Sequence, residues 1–264
     1  MCAPRHRQIG SAPKDLPAET FQIESSSGSK LSGWRIRAEQ SKGTIILMHG
    51  VRGCRLDMLD RARFLHASGY SVILFDFQAH GESSGEHITF GYLESRDAIA
   101  VVEFAHQKFP GQKIAVIGGS LGGAAAILAT PPLQVDAMVL EMVYPTVQQA
   151  ISARLKIKLG AFGSLFSPLL AWQLKPRLGI GPDDLRPIDK VREITVPKLF
   201  IAGDADKHTP LPEAKELFNA ALEPKQFWEI KGAGHVDLYP YDREGYQKRI
   251  LNFLEQSFYS SSSK

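Results

Sequence analysis

The strongest constraint on the fold is the stretch of residues 113–130, where a short apolar segment meets a glycine-rich turn and then an alanine-rich run. Residues 114–117 have the length and composition of a fully buried strand, and residues 124–129 have those of a helix of small side chains. The turn between them, at 118–123, reads Gly-Gly-Ser-Leu-Gly-Gly. We therefore expect a strand, a sharp turn and a helix in direct succession.

The turn contains the pattern Gly-x-Ser-x-Gly, formed by Gly118, Ser120 and Gly122. Between a strand and a helix, this pattern holds the serine in a strained backbone conformation, with its hydroxyl beside the first N–H groups of the helix. Those N–H groups and the helix dipole favour negative charge. A Cβ at either glycine would crowd the neighbouring strand or helix, so both glycines are expected to be required. Ser120 is thus a candidate nucleophile.

Two other interpretations of the turn are open. In the first, Ser120 has only a structural role in the turn. In the second, the turn binds a phosphate group. The phosphate interpretation is disfavoured, because neither Gly-Lys-Ser/Thr nor the spacing Gly-x-Gly-x-x-Gly occurs around the turn.

The composition fits one large α/β domain or two small ones. The chain has 264 residues, of which 44% are apolar and 22% charged, so it can bury a large core and is not of the disordered class. No apolar run approaches the roughly 20 residues that span a bilayer. The net charge is only +3 and no arginine-rich run occurs, so we expect no nucleic-acid partner.

The two cysteines, Cys2 and Cys54, are too few for a disulfide framework and lack the spacing of metal ligands. We therefore expect a reducing compartment, the cytoplasm. The first residues have no apolar core, so no signal peptide is expected. A cysteine directly after Met1 also fits a lipid-anchored chain from which an upstream segment has been removed, and this alternative stays open.

Short apolar runs bounded by turn residues predict strands, and amphipathic runs predict helices. Further strands are predicted at residues 20–24, 31–37, 44–48, 71–75, 137–141, 198–202 and 226–230. Further helices are predicted at residues 58–68, 92–108, 211–222 and 245–258. This alternation indicates an α/β fold with a mostly parallel sheet and helices on both faces, preceded by an antiparallel hairpin. We expect one domain over residues 20–258, an irregular lead-in at 1–19 and a tail at 259–264.

Residues 146–190 depart from this alternation, because they lie between two strands and contain no strand pattern. A crossover needs only one helix, so the segment is predicted to be an insertion. It is apolar and basic, and no Asp or Glu occurs between Glu141 and Asp183. In one interpretation it forms helices packed on the main domain with a solvated basic face. In the other it is a lid over Ser120, with an apolar side for an acyl chain and a basic side for an anionic substrate or a membrane surface.

A serine hydroxyl needs a base to become a nucleophile, and the base needs a carboxylate to orient it. Candidates for both follow the last two predicted strands: Asp204 and Asp206 come after the first of these, and His235 comes after the second. The carboxyl ends of parallel strands face one edge of a sheet, where ligands bind, and the turn of Ser120 lies at that edge too. The order serine, aspartate, histidine is that of the nucleophile, acid and base in α/β hydrolases.

Five motifs in this order carry a wider resemblance: His49-Gly50, Asp76…His80-Gly81-Glu82-Ser83, Gly118-Gly119-Ser120-Leu121-Gly122, Gly203…Asp206…Pro210 and Gly234-His235. With them, residues 20–258 resemble the α/β-hydrolase superfamily, in the branch of lysophospholipase-like esterases and serine aminopeptidase-like hydrolases. The resemblance implies the α/β-hydrolase fold with a helical lid insertion. One departure is Gly119, where family members often carry a larger residue. A second is the lack of a His-Gly-Gly-Gly motif, which argues against the hormone-sensitive-lipase-like branch.

By this resemblance, Ser120 attacks the substrate carbonyl, His235 takes its proton and returns it to the leaving group, and Asp206 fixes the histidine tautomer. The backbone N–H groups of Val51 and Leu121 form the oxyanion hole. No cofactor and no metal are implied.

Asp206 is preferred over Asp204 because its spacing to Pro210 matches the family, and Asp204 is then expected to cap the local turn. His208 is expected to be a loop histidine. His235 has a surface-loop alternative, but the Gly-Ala-Gly before it marks a special turn and favours catalysis.

Several polar residues near these motifs have other expected roles. His49, His80 and Asp76 are expected to hold loops together by hydrogen bonds. Arg52 and Arg55 flank the oxyanion loop, and they are expected either to be solvent-exposed or to contact an anionic group on the substrate.

The function these patterns favour is hydrolysis of a carboxylic or thio ester of a partly apolar acyl group, through an acyl-serine intermediate. Lysophospholipid or monoacylglycerol is the expected class of small-molecule acyl substrate, with peripheral membrane contact through the insertion. A serine peptidase, an acyltransferase, a haloperoxidase or a non-catalytic binding protein of the same fold are the alternatives. The oligomeric state stays open.

Overall fold

The computed structural model describes residues 2–259, and most of its strands belong to one eight-stranded sheet. In chain order the strands are β1 (Arg5–His6), β2 (Ala18–Glu24), β3 (Lys30–Ile36), β4 (Thr44–Met48), β5 (Ser71–Phe75), β6 (His80–Gly81), β7 (Ile114–Gly119), β8 (Ala137–Glu141), β9 (Lys198–Gly203) and β10 (Lys225–Ile230). The order across the large sheet is β10-β9-β8-β7-β4-β5-β3-β2.

The α-helices lie between and after these strands. They are α1 (Leu59–Ala67), α2 (Tyr92–Lys108), α3 (Leu121–Leu128), α4 (Val147–Leu159), α5 (Ser167–Trp172), α6 (Leu174–Leu178), α7 (Pro187–Lys190), α8 (Leu211–Ala220), α9 (Leu238–Tyr241) and α10 (Arg243–Tyr259). Short 3₁₀ segments occur at Arg55–Met58, Ala161–Phe166, Pro182–Asp184 and Val191–Glu193.

The sheet is parallel from β5 through β4, β7, β8 and β9 to β10, and β3 pairs antiparallel with β5 and with β2. Along β4, Ile45 and Leu47 enter one buried cluster, whereas Ile46 and Met48 enter the other. Successive side chains of a strand point to opposite faces, so two cores flank the sheet and bury its central strands completely. The predicted fold class, a mostly parallel sheet with helices on both faces and an antiparallel hairpin at its start, is confirmed.

The strand order places a crevice at the carboxyl end of the sheet. β4 lies between β5 and β7. The helix that follows β4 packs in the cluster on one face, and the helix that follows β7 packs in the cluster on the other. The loops after these two adjacent strands therefore diverge, which is the arrangement that opens a ligand site in this class of sheet.

The structure corrects some predicted boundaries. Within the lead-in at 1–19, predicted to be irregular, β1 pairs parallel with β6. The strand of the serine turn extends to Gly119 and its helix begins at Leu121, not at residue 124, so Ser120 alone separates the two elements. The helix predicted at 58–68 is preceded by a 3₁₀ turn. Of the predicted tail, residues 260–264 lie outside the described residues.

Residues 146–190 form α4 to α7 and two 3₁₀ segments between β8 and β9. The amino-terminal end of this segment is buried, whereas its middle exposes large apolar side chains. Within residues 2–259, no helix is both long enough and apolar enough to span a bilayer.

Candidate active site

Ser120 occupies the tip of the turn between β7 and α3. Its φ of 49° and ψ of −107° lie outside the regions that non-glycine residues ordinarily adopt. Its N–H donates to the carbonyl of Glu141 at 2.8 Å, and its own carbonyl accepts from the N–H of Ala124 at 2.9 Å. Strand β8 on one side and helix α3 on the other therefore hold the serine in this strained conformation.

The glycines of the turn differ in what surrounds them. A Cβ on Gly118 would lie 2.6 Å from the nitrogen of Gly123, and a Cβ on Gly122 would lie 2.3 Å from the carbonyl oxygen of Met48. Both contacts are with backbone, so neither position has room for a side chain. A Cβ on Gly119 would meet only a carboxylate oxygen of Glu141, at 3.7 Å. The position at which the sequence departs from its family is therefore one that has room for a side chain.

Asp206 and His235 form a hydrogen-bonded pair. The distance from Asp206 Oδ2 to His235 Nδ1 is 2.8 Å. The other carboxylate oxygen accepts the backbone N–H groups of His208 at 2.7 Å and Thr209 at 2.9 Å. The carboxylate is therefore fixed by the start of the loop that carries it. Asp204 instead accepts the N–H of Gly232 at 2.6 Å, in the turn that precedes His235.

Ser120 and His235 face the same cavity, which has a volume of about 610 Å³ and is called here the His235 cavity. Since Asp206 engages Nδ1, Nε2 is the ring nitrogen that remains for a serine proton. In the structure described for residues 2–259, Ser120 Oγ makes no hydrogen bond to the imidazole of His235. In substrate-free sites the hydrogen bond between nucleophile and base is often long, and it tightens only when a substrate binds.

The loop after β4 is held by two neutral histidines. His49 Nε2 accepts the N–H of Phe77 at 3.1 Å, and its Nδ1 donates to the carbonyl of Gly50 at 2.8 Å. His80 Nε2 accepts the N–H of Arg52 at 3.0 Å. Burial lowers the pKa of each of these two histidines to about 4, which keeps them uncharged and able to accept. The loop-holding role expected for them agrees with these contacts.

Arg55 does not have either role expected from its place beside this loop. Its guanidinium is fully buried and pairs with the carboxylates of Asp76 and Glu82, and it stacks on the ring of Trp34 at 4.6 Å. It is therefore neither solvent-exposed nor free to contact a substrate. Arg52 is exposed, with a φ of 64°. The carboxylates that pair with Arg55 lie 21 and 27 residues downstream in the sequence, and only the fold brings them close to it.

A buried polar network beside the site was missed by sequence reasoning. Arg61 donates to Glu141 at 2.9 Å, to Asp237 at 2.6 Å and to the hydroxyl of Tyr246 at 3.0 Å. Glu141 is the last residue of β8, and Asp237 lies two residues after His235. The network therefore ties the loop of His235 to α1 and to the strand next to Ser120. A glutamate that ends an otherwise apolar strand was the available signal.

A second cavity of about 350 Å³ also opens at Ser120 and is called here the apolar cavity. Its walls are mainly aliphatic and aromatic, and the segment 146–190 supplies most of them, with Cys2 contributing from the amino-terminal arm. Leu121 lines this cavity, and Val51 lines both cavities. The two residues expected to form the oxyanion hole therefore lie where the cavities meet the serine.

Among residues 2–259, no three His, Cys, Asp or Glu side chains form a group that could hold a metal ion. What the site brings together is a strained serine, a histidine oriented by a carboxylate, and an apolar cavity.

Comparisons with known proteins agree with this architecture. The family model described as serine aminopeptidase, S33, matches residues 39–178. The uncharacterized protein YqkD of Bacillus subtilis is 24% identical over 249 residues, which cover 92% of this chain and 81% of that protein. The lysophosphatidylserine lipase ABHD12 of Danio rerio is 25% identical over 238 residues, which cover 84% of this chain and 58% of that protein. The Pyrococcus furiosus esterase Pf2001 superposes with a TM-score of 0.79 at 25% identity, covering 97% of this chain and 99% of that one.

Proposed function

This chain belongs to the serine aminopeptidase S33 family of α/β hydrolases, and on that premise we propose that it cleaves carboxylic or thio esters of a partly apolar acyl group through an acyl-serine intermediate. The observation that carries the proposal is the convergence of Ser120, His235 and Asp206 at one end of the sheet. His235 is held by Asp206 at 2.8 Å and shares a cavity with Ser120.

The geometry supports the following steps. His235 Nε2 takes the proton of Ser120 as its oxygen attacks the ester carbonyl, and it then protonates the departing alcohol. The imidazolium that forms between these steps is stabilised by the carboxylate of Asp206. Water repeats the sequence on the acyl-serine and releases the acid. The backbone N–H groups of Val51 and Leu121 donate hydrogen bonds to the developing oxyanion. Each of these donors lowers the barrier by about 3 kcal/mol.

The two cavities support a division of the substrate. The apolar cavity, with walls such as Tyr144, Val147, Ile151 and Leu174, suits the acyl chain. The His235 cavity contains the base that must protonate the leaving group, so it suits the alcohol portion. A single-chain lipid ester, such as a lysophospholipid or a monoacylglycerol, has both parts. The similarity to a protein named as a lysophosphatidylserine lipase supports this class.

Initial rates on p-nitrophenyl esters from acetate to palmitate test this proposal, with Ser120→Ala in parallel. We expect turnover in the wild type, loss of at least about 10³-fold in Ser120→Ala, and an optimum at a medium or long acyl chain. Absence of turnover on every ester, combined with absence of labelling at Ser120 by a fluorophosphonate, would favour a non-catalytic binding protein.

A peptidase on the same residues is the second candidate, favoured by the description of the family. An aminopeptidase needs a carboxylate to bind the substrate ammonium. Three carboxylates line the His235 cavity: Glu141 and Asp237 are both paired with Arg61, and Asp57 accepts the backbone N–H of Cys54 at 3.1 Å. We therefore favour esters, and hydrolysis of aminoacyl p-nitroanilides faster than of matched esters would reverse this preference.

We also propose that the exposed apolar patch of the segment 146–190 contacts an anionic membrane surface. Its side chains are between 37% and 78% exposed, and they are Ile157, Leu159, Phe162, Leu165, Phe166, Leu169, Leu170 and Trp172. Exposed basic residues flank the patch at Lys156, Lys158, Lys175 and Arg177. Apolar side chains rimmed by cations suit the boundary between acyl chains and anionic headgroups.

Vesicle co-sedimentation tests this contact. We expect more binding to vesicles with phosphatidylglycerol than to pure phosphatidylcholine, and loss of binding in the double variant Phe162→Ser, Trp172→Ser. Leu222→Ser is the matched control, because Leu222 is 48% exposed but lies outside the patch. If the protein fails to bind vesicles and forms a dimer that the double variant dissociates, the patch is a contact between two copies and the membrane proposal is wrong.

A further inference from the structure

We propose that Arg154 forms an anion-binding subsite beside Ser120, so that the preferred ester carries a phosphate or carboxylate on its alcohol portion, a few bonds from the cleaved ester. The proposal rests on the proposed hydrolysis at Ser120, and it assigns to Arg154 a role that the sequence had suggested for Arg52 and Arg55.

The position of Arg154 is the first observation. Three residues line both the apolar cavity and the His235 cavity: Val51, Ser120 and Arg154. Ser120 is the proposed nucleophile and Val51 a proposed oxyanion donor, so the cleaved bond lies at this junction. Arg154 is therefore the cation at the boundary between the acyl portion and the alcohol portion of a bound ester.

The second observation is that the guanidinium of Arg154 lacks an acidic partner. It donates from Nη1 to the carbonyl of Ala150, one turn earlier in α4, at 3.1 Å. In the described part of the chain, no Asp or Glu oxygen lies within salt-bridge distance of it. Arg55 and Arg61, by contrast, each pair with two carboxylates.

Of the other arginines that line the two cavities, Arg61 is held by two carboxylates and Arg177 lines only the apolar cavity, which leaves Arg154 as the cation at the junction that can meet a ligand. Burial lowers its pKa, yet an arginine stays charged at neutral pH. The nearby carboxylate of Asp206 is already engaged by His235 and by two backbone N–H groups. Burial, and then the neighbouring His235 and Arg154, lower the pKa of His208, so this imidazole is neutral at pH 7.

A half-buried, unpaired guanidinium is unfavourable in the free protein, and an anionic ligand removes that penalty. The planar fork of arginine binds phosphate or carboxylate through two parallel hydrogen bonds. In a glycerol-based lysophospholipid, the phosphate follows the ester after three carbons, which places it on the alcohol side of the junction. A monoacylglycerol has the same ester and lacks the anion.

A matched pair of substrates tests the subsite: 1-decanoylglycerol 3-phosphate and 1-decanoylglycerol, both below their critical micelle concentrations. The readout is the ratio of kcat/KM for the anionic ester to that for the neutral ester. We expect the wild type to favour the anionic ester by at least tenfold. Arg154→Gln should lower the ratio by about 10- to 100-fold, the range for loss of a charge-assisted pair, and Arg154→Lys should restore part of it.

Arg192→Gln is the matched control, because it removes one exposed positive charge from the same segment between β8 and β9, at a position that lines neither cavity. We expect it to change the ratio by less than about twofold. A similar fall in both variants would indicate a general effect of net charge and would overturn the subsite. So would a wild-type enzyme that shows no preference, or an Arg154→Gln variant in which both substrates lose activity equally.

Binding to the Ser120→Ala protein keeps the test independent of turnover. Calorimetry should show tighter binding of 1-decanoylglycerol 3-phosphate than of 1-decanoylglycerol, and adding Arg154→Gln should remove the difference. Inorganic phosphate and glycerol 3-phosphate, used as competitors, distinguish a headgroup that needs its acyl chain from a site that accepts the free anion. Tighter binding of the anionic ligand without any ester turnover would support the subsite and contradict the proposed hydrolysis. Ester turnover without a preference for the anionic ligand would support the hydrolysis and contradict the subsite.

Discussion

Strand β4 lies so close to Gly122 in the serine turn that a side chain there has no room, whereas Gly119, three residues earlier, has room for one. In Gly122→Ala, the new Cβ would lie 2.3 Å from the carbonyl oxygen of Met48 and 2.7 Å from its carbonyl carbon. Ordinary contacts of this kind lie near 3.4–4 Å, so the overlap is about 1 Å, against the backbone of a central strand.

Overpacking of this kind lowers the free energy of unfolding by about 1–3 kcal/mol, whereas the higher helix propensity of alanine over glycine raises it by about 1 kcal/mol. Because a central strand cannot move freely, we expect the upper end, a net loss of about 2 kcal/mol. In a domain of this size that loss lowers the thermal midpoint by about 4–8 °C. Met48 leads into the loop that carries Val51, so we also expect kcat/KM on a p-nitrophenyl ester to fall at least tenfold.

Gly119→Ala is the matched control in the same turn. Its Cβ would meet only an oxygen of Glu141, at 3.7 Å, and its backbone lies outside the left-handed region. We expect stability to be unchanged or to rise by up to about 1 kcal/mol, because alanine restricts the unfolded chain. Differential scanning calorimetry and ester kinetics on both variants check the pair. A Gly122→Ala protein that matches the wild type in both measurements would refute the reasoning, as would equal damage in the two variants.

Three further perturbations test the network, the buried acid and the apolar cavity. Arg61→Met leaves the carboxylate of Glu141, which is 2% exposed, without its cation, and should remove about 3–5 kcal/mol from the free energy of unfolding in urea; a loss below about 1 kcal/mol would contradict this. Burial raises the pKa of Asp97 to about 7, so the folded protein holds a proton on this carboxyl that the unfolded chain releases near pH 3.8. The stability that this proton contributes is full below pH 3.8 and is lost as the pH rises through about 7. Asp97→Asn should therefore gain stability relative to the wild type between pH 5 and pH 8, and a constant difference over that range would refute the assignment. Ile151→Trp should fill the apolar cavity and lower kcat/KM for the palmitate ester at least tenfold relative to the acetate ester; equal effects on both esters would mean that the acyl chain binds elsewhere.

The central strands could be predicted almost to the residue, for a physical reason. A parallel strand covered on both faces is a continuous apolar run, and turn residues mark its ends. The predicted spans 44–48, 71–75 and 137–141 therefore coincide with β4, β5 and β8. Helix ends were less well predicted, since the last turn of a helix has weak local signals. The helix predicted at 211–222, for example, ends at Ala220.

Features that depend on distant partners could not be predicted. Strand β1 has two residues and no apolar pattern, and it exists because Arg5 and His6 pair with His80 and Gly81. Arg55 was expected to be solvent-exposed or to contact a substrate anion, because a lone arginine in a loop has no local sign of a partner. Its burial depends on Asp76 and Glu82, which only the folded chain brings to it.

For the site, the sequence by itself determined the nucleophile candidate and the order of its partners, because Gly-x-Ser-x-Gly has its effect through local backbone geometry. The turn also required Gly118 and Gly122, a local steric consequence. The tertiary structure decided which of two aspartates meets His235, and it alone showed that Arg154 lies where two cavities join. Those facts arise from contacts between loops that are far apart in the chain, and no local pattern specifies such contacts.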